Sequence, residues 1–284
     1  MPKRDLKIAA RLESRIELSD GLATFRFALE SDFAFSPGQY ATLWLTHKGK
    51  TIARPYTITS SPSSKRVLEF YVNLVKEGHL TPSLWEFDVI EGLRSGDPQT
   101  SAIITGPRGR FILKARDLRD YIFVASGTGL APFMSMIRKL NEDFITAPKN
   151  FHPRKIYLVH GVRHPGHLGY RDELEALALE TIRDPTRKLS LIYLPTISRP
   201  FMDTSWAGLK GRAELLFDFD TRGQAGPSNL EVTVKVMLGT ILSPETHAIY
   251  VSGYPGTIDN VVKALTPRGF RLDADLMCEK YYLK

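Results

Sequence analysis

The sequence predicts two domains of different class: a small antiparallel β-barrel over residues 1–116, followed by a doubly wound parallel α/β sheet over residues 117–284. Three observations carry this. Between Ile8 and Phe111, short runs of alternating apolar and polar residues are separated by Pro- and Gly-bearing turns, as in small barrels and sandwiches. From Tyr121 onward, unbroken apolar runs take turns with helical stripes, as when parallel strands are buried between layers of helices. The polar stretch Lys114-Ala115-Arg116-Asp117 reads as a linker between the two textures.

In the first domain, Thr24-Phe25-Arg26-Phe27-Ala28 and Gln39-Tyr40-Ala41-Thr42-Leu43-Trp44-Leu45 alternate, and Leu68 to Val75 is a longer β-rich run. Ser36-Pro37-Gly38, Lys48-Gly49-Lys50 and Ser60 to Ser64 separate them as turns. A helical interruption is expected around Pro82 to Glu91. Arg54-Pro55-Tyr56-Thr57-Ile58-Thr59-Ser60-Ser61 reads as a strand running into a loop. It sets a permanent cation with a planar donor fork beside an aromatic face and several hydroxyls. That composition suits a phosphate and a flat ring system, and it equally suits a half-buried strand with one exposed Arg. Gly78-His79-Leu80-Thr81-Pro82 presents backbone N–H groups and the Thr81 hydroxyl at a helix start, where anions are favoured; a plain capped helix would look the same. Phe35 to Tyr40 and Gly106 to Phe111 are further Gly/Pro turns ending in an aromatic.

In the second domain, Tyr121-Ile122-Phe123-Val124-Ala125 reads as a buried strand. Ser126-Gly127-Thr128-Gly129-Leu130-Ala131-Pro132 follows at once, and Phe133, Met136, Ile137 and Leu140 then form a helix stripe. Strand, glycine loop and helix in this order let a backbone approach a pyrophosphate at a helix N-terminus. The third glycine of the usual dinucleotide fingerprint is absent, and a βα turn that merely needed glycine would read alike. Ile156 to His160, Leu189 to Leu194 and Ala248 to Ser252 supply further strands. Tyr170, Leu174, Leu177 and Ala178 mark one helix, and Ile258, Val261, Val262 and Leu265 another. Ligands of such sheets bind outside the carboxyl ends of the strands. Both glycine loops, at Gly127 and Gly253, fall at such ends. So do Arg163, Ser198-Arg199 and Arg212, a set of forks suited to a terminal phosphate, or else ordinary solvated arginines. His160, His164 and His167 have a metal-like spacing, but Pro165, Gly166 and Gly169 make the region a loop with no face to align them, so no metal site is expected. Gly223 to Ser228 reads as an exposed, mobile loop.

Composition narrows the classes. With 284 residues, 43% hydrophobic and 24% charged, the chain has the make-up of a soluble globular protein. Met1 to Leu6 lacks the apolar core of a signal peptide. The longest uncharged run, Tyr121 to Ile137, holds two glycines and a proline and falls short of the roughly 20 residues of a membrane span. The single cysteine, Cys278, excludes an internal disulfide and any cluster held by several thiolates of this chain, and points to a reducing, cytoplasmic setting. The net charge of +7 favours an acidic partner or an anionic ligand. Lys and Arg are scattered without a basic run or interleaved aromatics, so nucleic acid is not an expected partner.

Taken in order, these stretches resemble the ferredoxin–NADP reductase family, most closely its bacterial branch. Arg54 to Pro62 resembles the family's flavin motif, Arg-x-Tyr-Ser/Thr. Phe35 to Tyr40 and Gly106 to Phe111 are similar to the turns of its flavin barrel, and Ala125 to Arg138 to its nicotinamide-nucleotide loop. His160 to Leu174, Ile197 to Pro200 and Lys210 to Arg212 fall where the bacterial branch places its NADP-binding arginines. The resemblance implies an FAD-binding barrel and an NADP-binding α/β domain. Arg54, with Pro55 beside it in the motif, would serve the FAD pyrophosphate, Tyr56 would lie on the isoalloxazine and Thr57 near its N5 atom. Leu80 and Thr81 would help hold the pyrophosphate. Thr128 would place the nicotinamide, with Gly127 and Gly129 allowing close approach, and Ser198, Arg199 and Arg212, with Arg163, would select NADPH. Ser252 stands where many members carry Cys, and an altered rate is the expected consequence. At the carboxyl end Glu279 would sit near the nicotinamide and Tyr281 would cover the other flavin face. Tyr282 follows and competes for that role, and the tail also suits an edge strand.

The activity so implied is electron exchange between NADPH and an acidic ferredoxin or flavodoxin through FAD, by a protein expected to be a monomer without a membrane segment. The reductase component of an oxygenase, or a free flavin reductase, is the alternative enzyme. A flavin-binding sensory protein that no longer turns over is the alternative from another class.

Overall fold

A computed structural model describes residues 6–87, 101–217 and 242–281. The Gly223 to Ser228 stretch, Tyr282 and the far end of the helix expected at Pro82 to Glu91 lie outside these residues. Contacts divide the chain into two units, Met1–Lys114 with Ala131–Lys139, and Ala115–Leu130 with Leu140–Lys284.

The first unit is a six-stranded antiparallel sheet. Its strands are β1 (Leu6–Ser19), β2 (Leu22–Leu29), β3 (Tyr40–His47), β4 (Lys50–Thr57), β5 (Val67–Asn73) and β6 (Ser101–Arg108), in the spatial order β4-β3-β6-β1-β2-β5. The two outer strands meet: Ile58, just past β4, bridges Phe70 on β5, and the Thr59 N–H donates to Glu69 O at 2.9 Å. That contact closes the sheet into a barrel and removes its free edges. Inward alternation fills the barrel, with Leu12, Phe25, Phe27, Leu43, Phe70 and Ile104 all fully buried. Helix α1 (Leu80–Glu86) starts two residues earlier than the expected Pro82 and contributes Leu80 and Leu84 to this core. Gly106 and Pro107, expected in a turn, belong to the end of β6.

The second unit carries a six-stranded parallel sheet. Its strands are β7 (Asp120–Ser126), β8 (Arg154–Val162), β9 (Leu189–Ile197), β10 (Leu209–Lys210), β11 (His247–Gly253) and β12 (Leu276–Lys280), in the order β10-β9-β8-β7-β11-β12. Helices α2 (Ala131–Thr146), α3 (Arg171–Arg183) and α4 (Pro255–Leu265) lie between them in the chain, the first nine residues of α2 belonging to the first unit. β7 and β11 are buried almost throughout, as their unbroken apolar runs require. From β7 the chain winds outward through β8, β9 and β10, then returns to lay β11 on the other flank of β7. The order therefore reverses between β7 and β11, and the loops after these two strands flank the switch point where such sheets take their ligands.

At the opposite, amino-terminal edge, buried charges are matched within the protein. Arg119 donates to Asp117 at 2.7 Å and to Asp275 at 2.9 Å, and also to Pro244 O at 2.7 Å. Arg154 donates to the carbonyls of Arg119 and Asp117, with its guanidinium 4.0 Å from the Tyr121 ring centroid. Asp117 is thus an anchor of the second unit, not part of a loose linker. Bonds from Arg271 and Arg119 hold the Asp275 carboxyl down at about 2.

Candidate functional site

The barrel contributes one set of candidate residues. β4 is an outer strand of the sheet, which tolerates Pro55 and leaves it and Arg54 exposed. The Arg54 guanidinium donates to the neighbouring Ala53 O at 2.9 Å, a bond that leaves most of its fork directed to solvent. Tyr56 lies half-buried against the core, 6.0 Å from the Phe70 ring, and burial pushes its hydroxyl up to about 12, so it stays a neutral ring. Thr57 pairs with Tyr40 across the ladder, and the chain then turns inward at Ile58, whose N–H donates to Gln39 O at 3.1 Å. Consecutive positions of one strand thus offer a cation, a ring and a hydroxyl.

The helix start at Leu80 offers less than its sequence suggested. Leu80 is a core side chain, and the Thr81 hydroxyl donates to Val75 O at 3.1 Å while accepting from Val75 N at 3.0 Å. Its one proton is committed to closing its own turn, so only backbone groups remain for an anion. The expectation of a Thr81 O–H donor is corrected on that ground.

At the carboxyl edge of the parallel sheet, the two glycine loops are sewn together. Ser126 Oγ accepts the Tyr254 N–H at 2.7 Å. A Cβ at Gly129 would stand 2.2 Å from Ser252 O, and one at Gly253 2.4 Å from Ser126 O. Glycine at 129 and 253 is therefore demanded by loop packing against the sheet, whereas the space beside Gly127, at φ +57°, is open. Thr128 is half-buried between Gly127 and Gly129.

Beside these loops, Ser252 and Glu279 are register partners on β11 and β12, and Tyr281 extends the ladder by donating its N–H to Gly253 O at 2.9 Å. The tail is thus an edge strand, and this pairing brings its candidate residues to the loops. Among the described residues, Ser252 Oγ and Glu279 Oε2 are buried and find no hydrogen-bond partner. Burial pushes the Glu279 carboxyl up to about 7. A carboxyl so poised can hold a proton or release it near neutrality.

Farther along the same edge, Arg163 follows β8 directly, Ser198 and Arg199 follow β9, and Arg212 lies just past β10. The backbones of the first two segments stay paired beyond the strands, with Ser198 N donating to Val162 O at 2.8 Å and Arg199 N to Arg163 O at 3.2 Å. All three arginines are exposed. Arg212 also lies 3.8 Å from Glu214, a buried carboxylate that accepts the Thr257 hydroxyl at 3.0 Å. His160 sits inside β8 and not in the loop that holds His164 and His167. Its ring is fully buried and burial pushes it down to about 4, so it is neutral. Sequence reasoning passed over Ser126, Ser135 and Arg138, small or charged residues within a motif dominated by glycines and an apolar stripe.

Orphaned buried polar atoms at Ser252 and Glu279, open space beside Gly127 and exposed Arg forks all fit a flavin and a nicotinamide nucleotide. The comparisons agree. Residues 9–112 match the family model of the oxidoreductase FAD-binding domain, and residues 123–263 that of the oxidoreductase NAD-binding domain. The chain is 30% identical over 184 residues to a ferredoxin–NADP reductase of Azotobacter vinelandii, covering 64% of this chain and 65% of that protein. It is 26% identical over 271 residues to the reductase component of phenol 2-monooxygenase from Pseudomonas sp. (strain CF600), covering 94% of this chain and 63% of that one. Identity reaches 34% over 155 residues with the reductase component of the naphthalene 1,2-dioxygenase system of Pseudomonas putida, covering 55% of this chain and 42% of that one. The chain thus spans less than two thirds of the length of these relatives. Among solved structures, a Neisseria gonorrhoeae ferredoxin NADP+ reductase with bound FAD and NADP superposes with a TM-score of 0.71 at 20% identity, covering 98% of this chain and 99% of that one.

Proposed function

The chain belongs to the ferredoxin–NADP reductase family of FAD-dependent oxidoreductases, and from that membership we propose that it passes electrons between NADPH and a one-electron carrier, a ferredoxin or flavodoxin. The observation that carries the reading is the meeting of Ser252, Glu279 and two glycine loops at the switch point of the sheet. Bound FAD supplies the exchange between two-electron and one-electron chemistry. The residues of this chain bind, orient and manage protons. We assign Arg54 to the FAD pyrophosphate, Tyr56 and Tyr281 to stacking on the isoalloxazine, and Thr57 to a hydrogen bond at its edge. Backbone groups at Leu80 and Thr81 add to the phosphate site. The loop Gly127-Thr128-Gly129 receives the nicotinamide end of the coenzyme, and Glu279 holds a proton at Oε2 with Ser252 Oγ beside it. Arg163, Ser198, Arg199 and Arg212 receive the terminal phosphate, since Arg forks match phosphate oxygens in pairs. The barrel and the α/β domain divide near residue 116 in this reading, and the whole acts in the cytoplasm.

A second reading has its own support, because two of the relatives are reductase components of oxygenases. The present chain, with Cys278 as its single cysteine, brings no set of thiolates for a cluster of its own. Anaerobic mixing with NADPH or NADH, followed at the flavin absorbance, tests the common core. Rapid bleaching by NADPH and slow bleaching by NADH is expected. Arg199→Ala should raise the KM for NADPH about 10-fold or more, as loss of a charge-assisted pair predicts, and leave that for NADH near its starting value. Equal effects on both coenzymes would remove the phosphate-site assignment.

A further inference from the structure

Helix α2 carries, beyond its apolar stripe, two polar side chains that reach the turn after the Arg54–Thr57 strand. Ser135, fully buried, donates its hydroxyl to Ser60 O at 2.8 Å. Arg138 donates through Nη1 to Thr59 O at 2.9 Å and to Glu69 Oε1 at 2.8 Å. The Thr59 hydroxyl donates to the same carboxylate oxygen at 3.0 Å, and the Glu69 N–H donates to Ser60 Oγ at 3.2 Å. All these residues fall in the first unit. Two successive carbonyls of one turn are thus held by one helix, and the carboxylate behind them is itself paired with the same arginine.

The turn so gripped is not free to set its own position. Thr59 lies two residues past Thr57, and the Ile58–Phe70 bridge between them closes the barrel. Thr59, Ser60 and Ser61 are all buried, although the run is polar. Polar backbone in such a place needs partners, and the half-buried Arg138–Glu69 pair, hydrogen-bonded on both members, supplies them in a fixed geometry. We infer that Ser135 and Arg138, acting with Glu69, are positioning residues that fix where Tyr56 and Thr57 meet the flavin, an inference that rests on the flavin reading above. They touch no reacting atom; they act through the backbone of Thr59 and Ser60.

The experiment uses the full chain in four forms: wild type, Arg138→Ala, Arg138→Lys and Ser135→Ala. Each is stripped of flavin and titrated with FAD, with the visible circular dichroism of the bound flavin and its reduction potential recorded. Arg138→Ala is expected to weaken FAD binding about 10-fold or more, the cost of leaving the half-buried Glu69 carboxylate and the Thr59 carbonyl without their donor, and to change the flavin dichroism. Arg138→Lys retains a cation for Glu69 and should recover part of both. Ser135→Ala removes one bond without stranding a charge and should shift the dichroism and potential while still folding, at the modest cost of leaving the Ser60 carbonyl without that donor, which keeps the test open if Arg138→Ala fails to fold. Wild-type binding constants, dichroism and potential in the folded variants would overturn the positioning role alone. A wild-type chain that takes up no FAD would overturn the flavin reading and this inference together.

Discussion

Glu279 shows how surroundings change the chemistry of a single residue. Its carboxyl is carried from an ordinary value near 4.5 to about 7 chiefly by burial. Because the folded value lies above the unfolded one, the folded protein holds a proton that the unfolded chain releases. Stability therefore falls as pH rises from about 4.5 to about 7 and is flat with respect to this group above that window. Glu279→Gln cannot lose a proton, so urea unfolding at pH 5 and pH 8 should show the variant gaining on wild type at the higher pH. A difference that is the same at both pH values would contradict a buried, titrating Glu279. The corresponding limb near neutrality should also vanish from the pH profile of turnover. Some of this was legible in the sequence, but only through resemblance: an acid followed two places later by Tyr281 says nothing of Ser252, which reaches Glu279 by register between β11 and β12. Thr81 is the opposite case. Its hydroxyl looked available in the sequence, and only the fold shows its proton given to Val75 O.

Elements were legible where one physical signal dominated. β7 and β11 were marked by near-continuous apolar runs, because strands buried on both faces have no polar side to confuse the pattern. β1 was not named as an element. Its 14 residues carry charge at nearly every other position, and a register shift between Leu12 and Ser14, within its pairing with β2, breaks the alternation. In α3, only Leu174 of the expected stripe is buried, and Tyr170 stands before the helix in a left-handed conformation at φ +57°. The glycine loop after β7 was found, yet the reason for one glycine was not. Gly129 packs against the end of β11, and a methyl group there would meet the carbonyl of Ser252. Gly129→Ala should therefore destabilise the chain by about 1–3 kcal/mol, as overpacking does, with a lowered Tm even without ligand. Gly129→Ala matching wild type in Tm would show that the loop is free to move away from β11.

Across the whole molecule, the formal charge of +7 sets how a carrier would meet the protein. Turnover with an acidic carrier should fall as ionic strength rises from about 0.05 to 0.5 M, while turnover with a neutral quinone acceptor changes little, because screening acts on the charged encounter. Equal salt sensitivity with both acceptors would place the effect inside the enzyme. The two-domain layout was legible because the change of texture between β-rich runs and strand–helix alternation follows from how each kind of sheet is buried. Relations made through space, such as Arg138 gripping the Thr59 turn, leave no mark on local pattern. The matched charges at the amino edge of the parallel sheet have one more consequence. Arg119, Asp117 and Asp275 answer one another within the protein, whereas Arg163 and Arg199 project from the other end of the strands into water. The charges that anchor the sheet and the arginines assigned above to the coenzyme phosphate thus stand at opposite ends of its strands. If that assignment holds, a lineage could exchange the exposed arginines, at about a few tenths of a kcal/mol each, and try new coenzymes without gambling its fold.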